Sequence, residues 1–286
     1  MIVYIASYPR SGNSWIQQLI YYQFRRLISS VYQINDYPPP QLNKWKIRIQ
    51  SQNPNSGNWL ELLKEKVMGN ICIWNEFIAV YNEPEQEINP PEHRFIMPGC
   101  LEFLTEENRQ KLAAEANVFF VKTHELPYQK YFTGEKVIQP IRNPGAVIWS
   151  YFNLIEATKW PGETFKSLME VIKGNVRFGS WSDYHEKWLQ VGEELGDRYL
   201  QIPFEWLKEH QDECCYQIEK LTGLKYLKRE FITFEAVHKL NPIAKREGKA
   251  FGWEKNYSNE ELRLLYACHG KMMEQLNYPE PIYHPE

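Results

Sequence analysis

The sequence predicts a single α/β domain in which a mainly parallel central sheet is flanked by helices. Short apolar runs typical of buried strands alternate along the chain with stretches of helical periodicity, and this order favours a doubly wound sheet. The first strand, Ile2–Ala6, passes directly into a polar loop and an amphipathic helix, which predicts a P-loop-like phosphate-binding strand–loop–helix unit. With 286 residues, 43% of them hydrophobic, the chain can bury one large core, so we predict one domain over residues 1–286.

The remaining elements are predicted from local patterns in chain order. Short buried-type runs predict three more strands: Asn117–Val121, Lys136–Ile141 and Arg198–Pro203. Helical periodicity predicts an N-terminal helix that ends by residue 28 and five further helices: Gly145–Ala157, Phe165–Lys173, Ser182–Leu195, Glu209–Leu221 and Asn259–Gln275. Prolines interrupt the pattern between residues 30 and 110, so we interpret that range as an insertion that covers one face of the domain.

The charge and cysteine content exclude several classes of protein. A formal net charge of −3 gives no general basic field, so we expect no nucleic-acid partner and only local polyanion sites. The five cysteines are an odd number without a CxxC spacing, which argues against a zinc site or a disulfide framework and favours a cytoplasmic location. No apolar run approaches the roughly 18 residues of a membrane-spanning helix, so we expect no membrane association.

The loop after the first strand, residues 7–15 with the sequence SYPRSGNSW, is a candidate phosphate site. A loop between a strand and a helix can present backbone N–H groups and the helix dipole to an anion. Gly12 allows the backbone to approach closely, and Arg10 adds a bidentate positive group. Side-chain hydrogen-bond donors come from Ser11, Asn13 and Ser14. The Gly-Lys-Ser/Thr ending of a Walker A motif is missing, and an ordinary serine-capped turn is the alternative interpretation.

Two later segments carry charges suited to further phosphate contacts. Arg142 stands at the end of a predicted strand, and Ser150 follows eight residues later in a predicted helix, so the two side chains could converge on one phosphate. Pairing of Arg142 with a surface carboxylate is the alternative. Residues 245–256 form a basic, glycine-bearing segment before the last helix, which suits an anion-binding lid or, alternatively, a solvated run of charges.

These three segments, in this order, resemble the phosphate-binding motifs of the sulfotransferases that use 3'-phosphoadenosine-5'-phosphosulfate (PAPS). Residues 8–15 follow the family's tyrosine-proline-lysine-serine-glycine-threonine-threonine-tryptophan loop, with Arg10 in place of the lysine and Trp15 as the closing tryptophan. The resemblance implies that this loop, from Arg10 through Ser11, Gly12 and Asn13 to Ser14 and Trp15, grips the 5'-phosphosulfate end of PAPS.

The resemblance also implies which residues bind the 3'-phosphate of PAPS. The family holds the 3'-phosphate with an arginine and a serine eight residues apart, which implies this role for Arg142 and Ser150. Arg246 and Gly248 match the family's arginine-lysine-glycine segment, in which Glu247 here replaces the lysine. These residues are therefore predicted to bind PAPS.

Weaker matches place the adenine base. Phe204 stands where the family usually has a tyrosine, and Thr233 and Phe234 fall where the family contacts adenine. An apolar slot suits a planar base. The resemblance therefore implies that these three residues contribute to the adenine site.

The catalytic residues are implied by a further match. Lys122-Thr123-His124 follows the predicted strand Asn117–Val121, and the family carries lysine-threonine-histidine at the end of the corresponding strand. The resemblance implies that His124 is the general base, which suits a side chain whose ordinary pKa is near 6.5. Lys122 and Arg10 would neutralise charge on the transferring group, and no metal is implied. An isolated histidine that caps or packs against the strand is the alternative.

The predicted function is transfer of the sulfuryl group from PAPS to a hydroxyl or amine of a small molecule. Aromatic and acidic side chains in the insertion suit a compact aromatic or cationic acceptor better than a long anionic polysaccharide. They are Trp45, Trp59, Trp74, Phe77, Tyr81, Glu61, Glu76 and Glu83. We therefore expect a specialised-metabolite alcohol, phenol or amine, with a glycan as the alternative.

Two other functions stay open on the sequence alone. A P-loop nucleotide kinase or phosphotransferase shares the strand–loop–helix unit, although the missing Walker lysine and the second phosphate pair disfavour it. A catalytically inactive nucleotide-binding module is the other, and the presence of Lys122, His124 and Arg10 argues against it. The oligomeric state is not predicted, because the family's lysine-x-x-x-threonine-valine dimer motif does not follow Trp253.

Overall fold

A parallel sheet of five strands lies at the centre of the protein and confirms the predicted fold class. The computed structural model describes residues 1–24, 26, 28–31, 71–74, 77–80, 106–116, 118–158, 163, 165–231, 233 and 252–285. Their strands are β1 (Ile2–Ala6), β2 (Ile28–Ser30), β3 (Ile71–Trp74), β4 (Phe77–Val80), β5 (Phe119–Thr123), β6 (Glu135–Ile141) and β7 (Tyr199–Pro203). The central sheet has the order β2-β5-β1-β6-β7, and β3 pairs with β4 in a separate antiparallel hairpin.

Helices cover both faces of this sheet. In the described part of the chain they are α1 (Asn13–Phe24), α2 (Glu106–Ala114), α3 (Pro144–Thr158), α4 (Leu168–Ile172), α5 (Trp181–Leu195), α6 (Phe204–Leu207), α7 (Gln211–Thr222) and α8 (Asn259–Gln275). None of the helices described is both long and apolar enough to cross a membrane.

Strand β1 lies in the middle of the sheet, and all five of its residues are buried, as expected for a parallel strand covered on both faces. Successive side chains alternate between the two faces. Val3 and Ile5 pack with α1 and α7, whereas Tyr4 packs on the opposite face with α3, α5 and α8. The hydrophobic core therefore has two halves, one on each side of the sheet.

Most predicted elements are observed with their boundaries moved by one to three residues. Strand Ile2–Ala6 and helix Asn259–Gln275 match the prediction at both ends. The predicted strand Asn117–Val121 is observed two residues later, because Lys122 and Thr123 pair in parallel with the last two residues of β1. The polar end of β5 therefore belongs to the sheet and not to the following loop.

The range 30–110 lies mostly outside the described residues, so its role as an insertion stays a prediction. Three elements in and around it were not predicted: strand β2, the hairpin of β3 and β4, and helix α2. The inward face of α2 carries Arg109, which forms an ion pair with Glu135 of β6 (Nη2 to Oε2, 2.8 Å). A helix that buries a charged pair has a weak apolar stripe, which explains why its sequence does not look helical.

The candidate site residues meet at one edge of the sheet. Because β1, β5, β6 and β7 run in the same direction, their carboxyl ends lie side by side. Ser7, His124, Arg142 and Phe204 are the residues that immediately follow these four strands. In open parallel sheets, ligands bind in the crevice at this edge, where neighbouring strands lead to opposite faces.

Candidate functional site

The loop between β1 and α1 has the backbone shape of an anion cradle. Arg10 and Gly12 both have positive φ angles, 74° and 109°, which turn the chain sharply before the helix. The amides of Trp15 and Ile16 bond back to the Gly12 carbonyl at 2.9 and 3.2 Å and start α1. The first amides of a helix have no carbonyl within the helix to bind and carry its positive dipole end, so this end favours a negatively charged ligand.

Ser11 supplies an independent sign of a ligand at this loop. Its side chain is fully buried, and among the described residues its Oγ has no hydrogen-bond partner. A buried hydroxyl without a partner costs about 1–3 kcal/mol. An anionic ligand oxygen would provide that partner, so the loop fits a phosphate group.

Asn13 has a different role from the one expected from the sequence. Its side-chain amide donates inward, to the Ile5 carbonyl at 3.2 Å and to Ser7 Oγ at 3.0 Å. Its Oδ1 accepts a hydrogen bond from Gln17, one turn along α1. The Asn13 side chain therefore holds the loop together from inside, while only its backbone amide remains suited to an anion.

Phe204 connects the loop to the second predicted phosphate segment. A Cβ atom on Gly12 would lie 2.8 Å from Phe204 Cδ2, so only a glycine fits against this ring. The guanidinium carbon of Arg142 lies 4.5 Å from the centre of the same ring. Arg142 also donates from Nη1 to the Arg10 carbonyl at 3.3 Å. Phe204 thus supports both the loop and Arg142.

We expect Gly12→Ala to destabilise the fold by about 1–3 kcal/mol and to weaken binding of 3'-phosphoadenosine-5'-phosphate (PAP) about tenfold or more. The added methyl group would clash with Phe204 at an unfavourable φ, and relief of the clash would move the loop amides. Thermal unfolding and calorimetry with PAP measure the two effects. Gly223→Ala is the matched control, because Gly223 also has a positive φ of 77° but has nothing within 4 Å. Equal PAP affinity in the two variants would contradict the role given to Gly12.

Arg10 and Ser150 are in direct contact. Arg10 Nε donates to Ser150 Oγ at 2.9 Å, across 140 residues of sequence. The resemblance assigned these side chains to opposite ends of PAPS, and the structure shows that they touch. The start of α3, where Asn143 Oδ1 accepts from the Gly145 amide at 2.9 Å, brings Ser150 to this position.

Glu205 is a neighbour of the site that the sequence did not reveal. Its carboxylate accepts hydrogen bonds from the Asn143 amide and from the Tyr278 hydroxyl, both at 3.2 Å. Burial raises the pKa of Glu205 and lowers the pKa of Arg142, and the attraction between the two groups opposes both shifts. An arginine stays protonated at neutral pH, so Arg142 presents a positive charge in a poorly solvated place, where it interacts strongly with anions.

His124 is held by the residue that follows β1. Its Nδ1 lies 2.7 Å from the Ser7 carbonyl oxygen and 3.3 Å from Ser7 Oγ. A carbonyl can only accept, so Nδ1 carries the proton and the lone pair resides on Nε2. The Phe178 ring lies 5.6 Å from the imidazole, centre to centre, in an edge-on arrangement. The tautomer is therefore the one that makes Nε2 the basic nitrogen.

Partial burial and nearby positive charges keep His124 neutral. Loss of hydration, followed by the charge of Lys122, lowers the pKa of His124 to about 3, although the Ser7 carbonyl opposes this change. Arg10 and Arg177 act in the same direction as Lys122. Because the pKa is lowered, the neutral form persists as the pH falls well below 6.5. His124 is thus unprotonated in the free protein at neutral pH, and a base with so low a pKa accepts a proton only weakly until a bound anion raises that pKa.

We expect the imidazole resonances of His124 in the free protein to show no titration between about pH 8 and pH 5, where an ordinary histidine titrates. Bound PAP should raise the pKa of His124, because its phosphates offset the charges of Lys122, Arg10 and Arg177. Histidine-labelled NMR with and without PAP measures both. A midpoint near 6.5 in the free protein, or a fall on adding PAP, would contradict this account.

Several predicted site residues cannot be placed. Phe234, Arg246 and Gly248 lie outside the described residues, and so do all the named insertion residues except the backbones of Trp74 and Phe77. Thr233 is described and exposed. Their roles stay predictions.

The end of the predicted lid segment packs beside the site. A Cβ atom on Gly145 would lie 2.1 Å from the Trp253 ring, so this indole packs directly on the start of α3. The Tyr257 hydroxyl donates to the Gly145 carbonyl at 2.6 Å. Residues 252–257 are therefore fixed next to the helix that begins beside Arg142.

Comparison with known proteins identifies a family that matches this chain. The sulfotransferase domain family matches residues 2–257. Mouse sulfotransferase SULT7A1 complexed with PAP is similar with a TM-score of 0.52 and 14% identity, over 96% of this chain and 84% of that chain. Retinol dehydratase complexed with retinol and PAP gives a TM-score of 0.52 and 15% identity, over 99% of this chain and 83% of that chain.

A second structure of retinol dehydratase, with androsterone and the inactive cofactor PAP, gives a TM-score of 0.51 and 15% identity, over 99% of this chain and 82% of that chain. At these identities the solved structures establish a shared fold. No curated protein sequence matches the chain.

Proposed function

This chain belongs to the sulfotransferase domain family and is a sulfotransferase, and from this premise we propose that it transfers the sulfuryl group of PAPS to a hydroxyl or amine of a small molecule. One observation carries the proposal furthest. The contact between Arg10 and Ser150 joins the loop after β1 to the helix after β6, so the two predicted phosphate segments lie side by side and would form one continuous anion-binding surface. His124 lies beside that surface, where its Nδ1 contacts the carbonyl of Ser7.

PAPS binding is assigned to residues of that surface. The amides at the start of α1, the buried Ser11 hydroxyl and Arg10 would hold the 5'-phosphosulfate. Arg142 and Ser150 would hold the 3'-phosphate, and Phe204 would lie under the nucleotide end, where it already supports Arg142. Arg246 and Gly248 of the predicted lid, and Thr233 and Phe234 at adenine, complete the proposed set.

His124 is proposed to remove the acceptor proton. Its neutral Nε2 takes the proton from the hydroxyl or amine as the acceptor attacks sulfur, so the new bond to sulfur forms as the bridging sulfur–oxygen bond breaks. Bound PAPS supplies the sulfuryl group and departs as PAP. This transfer resembles phosphoryl transfer, which depends on positioning and charge stabilisation more than on covalent catalysis.

Arg10, Lys122 and the α1 amides are proposed to stabilise the negative charge that develops on the leaving oxygen. Arg10 is held by its bond to Ser150, and the backbone of Lys122 is fixed in β5 opposite Ile5. Fixed charges of this kind act on the transition state without a cost of reorganisation. Among the described residues no cluster of three His, Cys, Asp or Glu side chains could hold a metal ion, and a metal-independent reaction is part of the proposal.

The acceptor is proposed to be a small alcohol, phenol or amine. In support, retinol dehydratase was solved with retinol and with androsterone, both small molecules. The predicted insertion at residues 30–110 would form the acceptor side of the site. A cytoplasmic location is part of the same proposal and is supported by the odd number of cysteines without CxxC spacing.

A screen of alcohols, phenols, amines and glycans with PAPS tests this proposal. Mass spectrometry should detect a sulfated product from small-molecule acceptors, together with PAP. The catalytic control is the same screen with His124→Ala, which should give much less product. Products from glycans alone would contradict the acceptor class, and products that form equally well with the variant would contradict the role of His124.

A further inference from the structure

Ser7 lies at the junction between the phosphate loop and the proposed base. It follows the last residue of β1, and its side chain is fully buried. Its amide donates to the Thr123 carbonyl at 3.2 Å, at the end of β5. The Ser7 backbone is thus fixed to the strand that carries His124 as the next residue, and its carbonyl cannot shift without breaking the end of the sheet.

A chain of buried hydrogen bonds runs from α1 to this serine. Gln17 donates to Asn13 Oδ1, and Asn13 Nδ2 donates to Ser7 Oγ at 3.0 Å and to the Ile5 carbonyl at 3.2 Å. Asn13 and Gln17 are each 5% exposed. Both hydrogens of the Asn13 amide are therefore directed at the end of β1, which fixes the orientation of the Ser7 side chain.

The chain ends on the imidazole. Ser7 offers two oxygens to His124 Nδ1, its carbonyl at 2.7 Å and its hydroxyl at 3.3 Å. Since Asn13 already donates to that hydroxyl, its oxygen is held in place as a second acceptor for the Nδ1 proton. Two acceptors at Nδ1 disfavour the other tautomer and a flipped ring.

We propose that Asn13 and Ser7 are positioning residues that hold His124 with its proton on Nδ1 and its lone pair on Nε2. The inference rests on the proposed role of His124 as general base. It also gives the phosphate loop a second role. The backbone amide of Asn13 begins α1, and the side chain of the same residue helps to position His124. Binding of an anion at this helix end would therefore also steady His124.

Long-range ¹H–¹⁵N NMR of histidine-labelled protein tests the proposal without relying on turnover. In the wild-type protein His124, assigned from its loss in His124→Gln, should show the Nδ1–H tautomer. Asn13→Ala and Ser7→Ala keep the Ser7 carbonyl but loosen or remove the second acceptor at Nδ1, so each should weaken the preference for this tautomer and add a minor Nε2–H population. Both variants should lower kcat about 10- to 100-fold, the cost of a loosely held catalytic group, and Ser7→Ala should change PAP affinity less than about threefold. Asn13→Ala also removes bonds that hold the phosphate loop, so it should weaken PAP binding more than Ser7→Ala does.

Two comparisons separate positioning from general damage. Ser7→Thr keeps the hydroxyl and should restore the tautomer and much of the kcat. Ser182→Ala removes a hydroxyl that lies 2.8 Å from Nδ1 of another histidine, His269, so it should alter the His269 signals and leave His124 and kcat unchanged. If Asn13→Ala fails to fold, the pair Ser7→Ala and Ser7→Thr decides.

The proposal is overturned if His124 keeps its tautomer and kcat in both alanine variants. It is also overturned if Asn13→Ala weakens PAP binding tenfold while His124 is unaffected, since Asn13 would then act on the anion. A third outcome separates this inference from the proposed function. If the wild-type protein shows the Nδ1–H tautomer, and Asn13→Ala weakens it, but the wild type transfers no sulfuryl group, the proposed function is contradicted and the positioning role stands.

Discussion

Replacing His124 by alanine is expected to lower turnover by roughly 10²–10⁴-fold, the usual contribution of a general base. PAP binding should change little, because the residues assigned to PAPS lie in the loop after β1, in α3 and around Arg142. The loss should appear in kcat and not in the affinity for PAPS, since proton removal takes place in the transition state. Steady-state kinetics and calorimetry with PAP measure the two quantities separately.

The matched control is His210→Ala, which removes a half-exposed histidine that stacks on Trp206 ahead of α7. It should keep the wild-type rate. Thermal unfolding must show that His124→Ala is folded, because loss of a histidine that only packs against the strand would lower activity and PAP binding together. A folded His124→Ala protein with close to the wild-type rate would show that another group removes the proton.

Replacing Arg142 by alanine is expected to remove most of the preference for PAP over adenosine-5'-phosphate, which lacks the 3'-phosphate. Loss of one charged and partly buried contact costs about 2–5 kcal/mol, or about 30-fold or more in affinity for PAP. Affinity for adenosine-5'-phosphate should fall much less. The effect should be large because Arg142 lies against Phe204, where water screens its charge poorly.

Calorimetry with both nucleotides on three proteins tests this prediction. Arg142→Lys keeps the charge but not the two-pronged geometry, and it should retain part of the preference. Arg263→Ala removes an arginine from the exposed face of α8, so it controls for the change in net charge and should behave like the wild type. If Arg142→Ala discriminates between the nucleotides as well as the wild type does, the 3'-phosphate is held elsewhere.

The parts of the fold that local sequence determines were predicted well. Strand β1 is apolar throughout because both of its faces are covered, and α8 begins at a capping box of Ser258 and Glu261 that its sequence displays. Strand β2 was missed because its three residues become a strand only by pairing with β5, more than 90 positions away in sequence. Helix α2 was missed because its inward face buries Arg109 against Glu135.

In the candidate site, too, local motifs were predictable and contacts between distant residues were not. Motif order brought attention to Arg10, Arg142, Ser150 and His124, and these residues do meet at one edge of the sheet. Sequence could not show which way a side chain points, because that depends on distant neighbours. The contact of Arg10 with Ser150 spans 140 residues, and the bond from His124 to Ser7 spans 117.

Glu205 and Asn13 show the same limit in two ways. Glu205 follows Phe204 in the sequence, but nothing local predicts its bonds to the Asn143 amide and the Tyr278 hydroxyl, which depend on the packing of distant segments. Asn13 was interpreted as a hydrogen-bond donor to the anion, because its side-chain amide lies in the predicted phosphate loop. Its side chain points inward because the Ile5 carbonyl and the Ser7 hydroxyl, at the carboxyl end of β1, accept its hydrogen bonds.

The reaction proposed for this protein transfers the sulfuryl group of PAPS to an acceptor. Incubation of the protein with ³⁵S-labelled PAPS and an acceptor found in the screen should give labelled product and PAP in equal amounts, and ATP labelled at its γ-phosphate should give no labelled product. Labelled product from ATP but not from PAPS would identify a phosphotransferase and contradict the account.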